Sequence, residues 1–254
     1  MSRSFTYHAL ALRVKQSASG LFGSGESNRE AWFLTAEEGI LKATVFGGPK
    51  SRLRSQVASF HEGKLMIYHD PVRDSRKVSD FDVESWRPGI RELWERAMAA
   101  DAVAETILAS QGGGGNWQEA IKLAGAVLDA LNGAAAEPCS RIGVYFLWHW
   151  AQILGIRPDL SACSSCACEV KKEGILWYST RKEALICENC ADDRDSRLRL
   201  DPGGRLWLME IEALKASELQ TLEPGVHGME SAKELSKAVL AAALGKKPGT
   251  WEGI

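Results

Sequence analysis

The hydrophobic positions of this chain change their period near residue 87. Before it, apolar residues alternate with polar ones or come in short runs, as in strands that bury one face. Tyr7–Val14 sets His8, Leu10, Leu12 and Val14 against Ala9, Ala11 and Arg13. Glu30–Thr35 and Ile40–Phe46 follow, joined across Ala36-Glu37-Glu38-Gly39, a tight-turn sequence. Ser55–His69 and Val72–Val83 supply two more strand-like stretches, broken at Asp70-Pro71. Gly20–Ser27 reads as a Gly/Ser loop. Five short strands predict a small barrel over residues 1–86, and one barrel with that strand count is the OB-fold.

After Pro88 the period becomes 3.6. Ile90, Leu93, Trp94, Ala97 and Met98 form one stripe, continued by Ala102, Val103, Thr106 and Ile107. Gly112–Gly115 is a break, and Asn116 is a good N-cap for a helix lined by Ile121, Ala124, Val127, Leu128 and Leu131. A further helix from about Cys139 to Leu154 buries Val144, Leu147, Trp148 and Ala151; Gly155 and Pro158 stop it. Leu206–Leu219 and Met229–Leu244 are helical by period, with a breaker at Glu223-Pro224-Gly225. The expectation is an α+β multidomain chain. An OB-fold barrel (1–86) precedes an all-α domain (87–160 and 196–254), into which a small metal ribbon (161–195) is inserted.

The ribbon follows from cysteine spacing. Cys163-x-x-Cys166 and Cys187-x-x-Cys190 are separated by 20 residues, enough for a short hairpin. A two-residue gap lets both thiolates of a turn reach one metal, and two such turns complete the tetrahedral shell of Zn²⁺. Four thiolates leave no open coordination position, so the metal is expected to be structural, one zinc per chain. Cys168 lies two residues after Cys166 and is an alternative ligand; the Cys163–Cys166 spacing is the commoner. Cys139, in a helical pattern, reads as a small buried hydrophobe. Disulfides are disfavoured because the opening MSRSFTYHALALRVKQ has no apolar stretch long enough for a signal peptide, which points to a reducing cytoplasm.

The net charge of −2 excludes a polycation, but the charge is uneven. Residues 1–61 hold eight Lys+Arg against four Asp+Glu, whereas residues 87–254 hold 19 against 23. The densest basic stretch is Gly47-Gly48-Pro49-Lys50-Ser51-Arg52-Leu53-Arg54, directly after a strand. On a barrel rim such a loop gives Lys and Arg access to phosphate oxygens, and Gly47, Gly48 and Pro49 let the backbone approach; a solvated turn is the bland alternative. It is not a phosphate-binding P-loop, because Pro49 and Thr44 stand where that motif needs glycine. No catalytic constellation appears: Glu26, Glu30, Glu37 and Glu38 are not placed across a cleft, and the five histidines have no metal spacing. His149 reads as packed or half-exposed. Most of the nine tryptophans fall on helical stripes and read as core; Trp32, on a strand, is either core or a base-stacking ring.

The order of parts resembles the RecO family of bacterial recombination mediators. Gly25-Glu26-Ser27-Asn28-Arg29, Leu34-Thr35, Glu38-Gly39-Ile40-Leu41, the 47–54 turn and Gln56–Phe60 are similar to its amino-terminal barrel. Leu154-Gly155-Ile156-Arg157-Pro158-Asp159-Leu160, the two cysteine pairs and Gly245-Lys246-Lys247-Pro248 resemble its later parts. Two departures stand out: Ala167-Cys168 where the family commonly has Gly after the second cysteine, and Gly48-Pro49 where an Ala-Arg type of sequence is usual. The resemblance implies a non-enzymatic protein of DNA repair and recombination. Such a protein binds single- and double-stranded DNA, anneals strands and, with RecR, loads RecA onto DNA coated by the single-strand-binding protein SSB, whose C-terminal tail it also binds. It implies Lys50, Arg52 and Arg54 as DNA contacts, with Arg13 and Lys42 on neighbouring strands as weaker ones. A protein-only adaptor holding RecR or SSB through its helical part is the alternative; the acidity of residues 87–254 is compatible with it.

Overall fold

A computed structural model describes residues 3–16, 28–47, 50–192, 196–222 and 228–254. The expected Gly/Ser loop at 20–27, Gly48, Pro49 and the breaker at 223–225 lie outside the described residues. Five strands, β1 (Ser4–Gln16), β2 (Arg29–Thr35), β3 (Gly39–Val45), β4 (Glu62–Asp70) and β5 (Ser75–Ser85), form a closed barrel in the order β1-β2-β3-β5-β4. Every pairing is antiparallel except the closing one, where β3 meets β5 in parallel at Thr44 and Lys77. This is the five-stranded Greek-key barrel of the OB-fold, as the strand count predicts.

The barrel interior holds Tyr7, Ala9, Ala11, Ala31, Phe33, Leu41, Ala43, Val45, Leu65, Ile67, Val78 and Phe81. Small alanines on β1 leave room for Phe33 and Phe81, which meet edge to face at 5.8 Å. The expected strand Ser55–His69 is shorter at its start. Residues 52–56 form a helical turn, α1 (Arg52–Gln56), and β4 begins at Glu62. Leu53 and Val57, four apart, share a face that packs on the barrel core, which favours helix over strand there. Likewise 71–74 is a turn, and β5 starts at Ser75. Gly39 closes the β2–β3 turn with φ +73, and the Trp117 indole lies where a Cβ would stand.

Both faces of β1 are covered. Leu10 and Leu12 leave the barrel core and join a second core with Leu34, Phe60 and the helices. A bulge between Ala11 and Arg13 shifts the register there. Three helices build that core: α2 (Trp94–Ala109), α3 (Trp117–Gly133) and α4 (Ala136–Ile153). The expected stripe holds at Ala102, Val103, Thr106 and Ile107, which are buried, but departs in its first turn. The helix starts only at Trp94, so Ile90 sits on a 3-10 turn and Trp94 is 72% exposed, while Ala99, Ala100, Val103, Ala104 and Ile107 face inward. Asn116 precedes α3, but its side chain makes no capping bond. Trp148 and Trp150 of α4 are fully buried.

A three-stranded sheet follows, β6 (Leu176–Ser179), β7 (Ala184–Cys187) and β8 (Ser196–Leu200), in the order β7-β6-β8. Its Leu176, Tyr178, Leu185 and Leu200 belong to the same core as the helices. The helical stretch expected at 206–219 is split: α5 (Pro202–Ile211) starts at the Asp201 cap, and a separate 3-10 turn covers Ala216–Gln220. The last helix, α6, is Met229–Leu244. Among the described residues, no helix is long and apolar enough to cross a membrane.

Candidate nucleic-acid interface and metal centre

The cationic turn leaves β3 at the barrel rim. Gly47 has φ +127 and a Cβ there would collide with Ser51, so glycine lets the chain fold back onto α1. Lys50 and Arg52 are exposed, and Arg54 is half-buried. Strand pairing adds a cation that sequence reasoning missed. Arg29, opposite Val45 on the last rung of β2–β3, donates from Nη2 to the Arg54 carbonyl at 2.9 Å. Burial, with the neighbouring Arg54 charge, lowers the Arg29 pKa. Among the described residues, no carboxylate lies within ion-pair distance of Arg29, Lys50, Arg52 or Arg54. Like charges held together without counter-charges make a rim that favours an anion.

The two other candidate cations stand apart from this group. Arg13, Trp32 and Lys42 are cross-strand neighbours on the outer face of β1-β2-β3. Lys42 is engaged: its Nζ is 2.8 Å from Glu30 and 5.1 Å from the Trp32 ring centre. Arg13 lies within electrostatic reach of Asp101 and Glu105 on α2. Trp32 is half-buried on the outer wall, not inside the barrel.

The cysteine pairs converge. The Sγ atoms of Cys163, Cys166, Cys187 and Cys190 all lie within 4.8 Å of one another. Cys166 and Cys187 are 3.8 Å apart, which matches the edge of about 3.8 Å for a tetrahedron with metal–sulfur bonds of about 2.3 Å. The amides of Ser165 and Cys187 donate to the Cys163 sulfur at 3.4 and 3.2 Å. Burial opposes ionisation of that thiol, but hydrogen bonds from the amides of Cys187, Cys166 and Ser165 outweigh it and bring its pKa to about 6. The mutual closeness of the four sulfurs fits one metal ion, which would hold them as thiolates. Cys168 is outside this mutually close set, although its sulfur is 3.2 Å from that of Cys166. Ala167, between them, has φ +57, a conformation that glycine adopts without strain. Cys139 is buried in the helical core, as expected.

One side chain fastens this knuckle to the helices. Arg205 of α5, 4% exposed, donates to the carbonyls of Leu160 (3.4 Å), Val170 (2.9 Å), Lys171 (2.6 Å) and Lys172 (3.2 Å). Those carbonyls flank Cys163–Cys168 on both sides. A comparable junction joins the barrel to α3. Arg87, 5% exposed, bonds Glu62 and Asp129, each at 2.6 Å, and the Phe60 carbonyl at 2.9 Å.

A groove of about 640 Å³ runs between α3, α4 and the 3-10 turn near Lys215. Leu123, Ala126, Ile153 and Leu214 give it an apolar floor, and Lys122 and Lys215 stand among its lining residues. Its wall includes Tyr145 stacked on His149 at 3.9 Å. His149 is thus half-buried and packed, and burial lowers its pKa.

Comparison with known proteins adds the lineage. The family described as "Recombination protein O C terminal" matches residues 91–252. The DNA repair protein RecO of Lactobacillus acidophilus is 26% identical over 209 residues, 78% of this chain and 78% of that protein. RecO of a Synechococcus strain is 24% identical over 176 residues, 65% of this chain and 58% of that protein. The helices, the cysteine knuckle and α6 all fall within the matched span, and the chain belongs to the recombination protein O (RecO) family.

Proposed function

We propose that this protein is a non-enzymatic DNA-binding mediator of repair and recombination in the cytoplasm, and that the barrel rim grips the sugar-phosphate chain. The observation that carries this reading is the cluster Arg29, Lys50, Arg52 and Arg54, which among the described residues has no carboxylate partner. Phosphates are the natural counter-charges for such a cluster, and their neutralisation releases condensed cations. Lys42 and Arg13 on β1-β2-β3 are weaker contacts in this reading, because Lys42 is paired with Glu30 and Arg13 faces Asp101 and Glu105. The names of the relatives, DNA repair protein RecO, support the same role. Strand annealing and, with RecR, the loading of RecA onto SSB-coated single strands are the activities this reading assigns.

In the same reading the metal is a single structural zinc on Cys163, Cys166, Cys187 and Cys190. Bound there, it cross-links two turns and folds the ribbon. The groove between α3 and α4 supports a protein partner: its apolar floor suits the apolar end of a peptide such as the SSB tail, while its charge is mixed, with Lys122 paired to Glu119 and both Asp129 and Lys215 in the lining.

The test is a salt titration of binding to a single-stranded oligonucleotide. Affinity should fall steeply with salt. Lys50→Ala/Arg52→Ala/Arg54→Ala together should reduce the log–log slope by about 2, three phosphate contacts at roughly 0.7 each. Binding indifferent to salt, or untouched by the triple substitution, removes the site and leaves the protein-only adaptor.

A further inference from the structure

The rim carries an exposed aromatic ring among its cations, and its position has no role in phosphate binding or in the barrel core. Phe46 is the first residue after β3 and is 43% exposed. It follows Val45, whose cross-strand partner is Arg29, the residue bonded to Arg54. Lys77 of β5 holds its ammonium over the ring, 5.3 Å from its centre, which leaves the opposite face for a base. The turn bearing Lys50 and Arg52 leaves immediately after it. An exposed apolar ring that lies under one ammonium and next to a basic turn adds nothing to the barrel core. It is suited to a ligand that is anionic along one edge and flat and apolar along the other.

We propose that Phe46 is a base-stacking platform, so that the rim takes a single strand with unpaired bases in preference to duplex. This rests on the reading of the rim as a phosphate-binding site and adds what lies beyond the phosphates. In a duplex the base faces are stacked on one another and only the backbone is available to the cations; in a single strand one base turns onto the ring while Lys77, Lys50 and Arg52 hold the flanking phosphates. Trp32 does not serve in the same way. A lysine lies over each ring, but Lys42 over Trp32 is paired with Glu30, a carboxylate that repels the backbone, whereas Lys77 over Phe46 has no carboxylate within ion-pair distance among the described residues.

The experiment compares an end-labelled single-stranded oligonucleotide with its blunt duplex, by fluorescence anisotropy at one salt concentration. Phe46→Ala should weaken single-strand binding about five- to 150-fold, the worth of one stacked base. Duplex affinity should stay within about twofold, because phosphate contacts are untouched. Phe46→Tyr keeps the ring and should restore single-strand binding. If Phe46→Ala leaves single-strand affinity unchanged, or lowers both affinities equally, the platform is refuted. The phosphate site still stands in either case, provided that the Lys50, Arg52 and Arg54 triple variant weakens both forms. If the triple variant changes neither, the phosphate site falls and the platform with it.

Discussion

Arg205 offers the sharpest test of how the metal knuckle is held to the body of the protein. Its guanidinium is buried, with no carboxylate within ion-pair distance among the described residues, and four backbone carbonyls supply its counter-dipoles. Two of these bonds, to Val170 and Lys171, are short. Arg205→Met keeps the apolar stem and removes every donor. Hydrogen bonds to charged groups contribute about 1.5–3 kcal/mol each. The two short ones set the scale, and water entering the gap recovers part, so the net loss should be about 3 kcal/mol. For a chain of this length that corresponds to a fall in melting temperature of about 6–12 °C. Differential scanning calorimetry of the metal-loaded protein reads it directly. Chelator extraction should also accelerate, since both flanks of Cys163–Cys168 are released. Arg205→Lys, which cannot span four acceptors, should fall between the two. A shift for Arg205→Met under about 2 °C, with unchanged extraction, would refute the idea that these bonds fasten the knuckle.

Cys163→Ser should abolish metal binding and melt the ribbon, whereas Cys168→Ser should still hold one metal per chain by elemental analysis; loss of metal from Cys168→Ser alone would reassign the fourth ligand. Burial lowers the pKa of both His61 and His149 below the value of about 6.5 expected when unfolded. Each is therefore neutral in the folded state, and its contribution is fully present above that value and lost as pH falls through the lower, folded one. The urea midpoint should drop on acidification from neutral pH, and His149→Phe should flatten the decline; an unchanged wild-type midpoint would contradict this.

The local parts of the molecule were legible along the chain. Alternation located the barrel strands, the 3.6 period located the helices, and α6 was placed residue for residue. Two Cys-x-x-Cys pairs announced a four-cysteine cluster, and three cations after a strand marked a basic turn whose Lys50 and Arg52 are exposed. Each of these signals lies within a few neighbouring residues, where backbone geometry alone fixes what can share a face or reach a common point.

Tertiary structure decided what depends on distant segments meeting. The alternation on β1 does not say that its outer face is also buried, because Leu10 and Leu12 find partners only when α2 and α3 dock. Arg29 looks like an ordinary strand residue beside Glu30 until pairing sets it against Val45 and beneath Arg54. Trp94 sits on an apolar stripe, yet it is exposed because the helix begins at that residue. Arg205 has no sequence signature at all; its role exists only where α5 crosses the carbonyls of residues 160–172. Periodicity specifies which side of an element is apolar, but the partner that covers it, and the charge left uncovered, emerge only from packing between elements far apart in the chain.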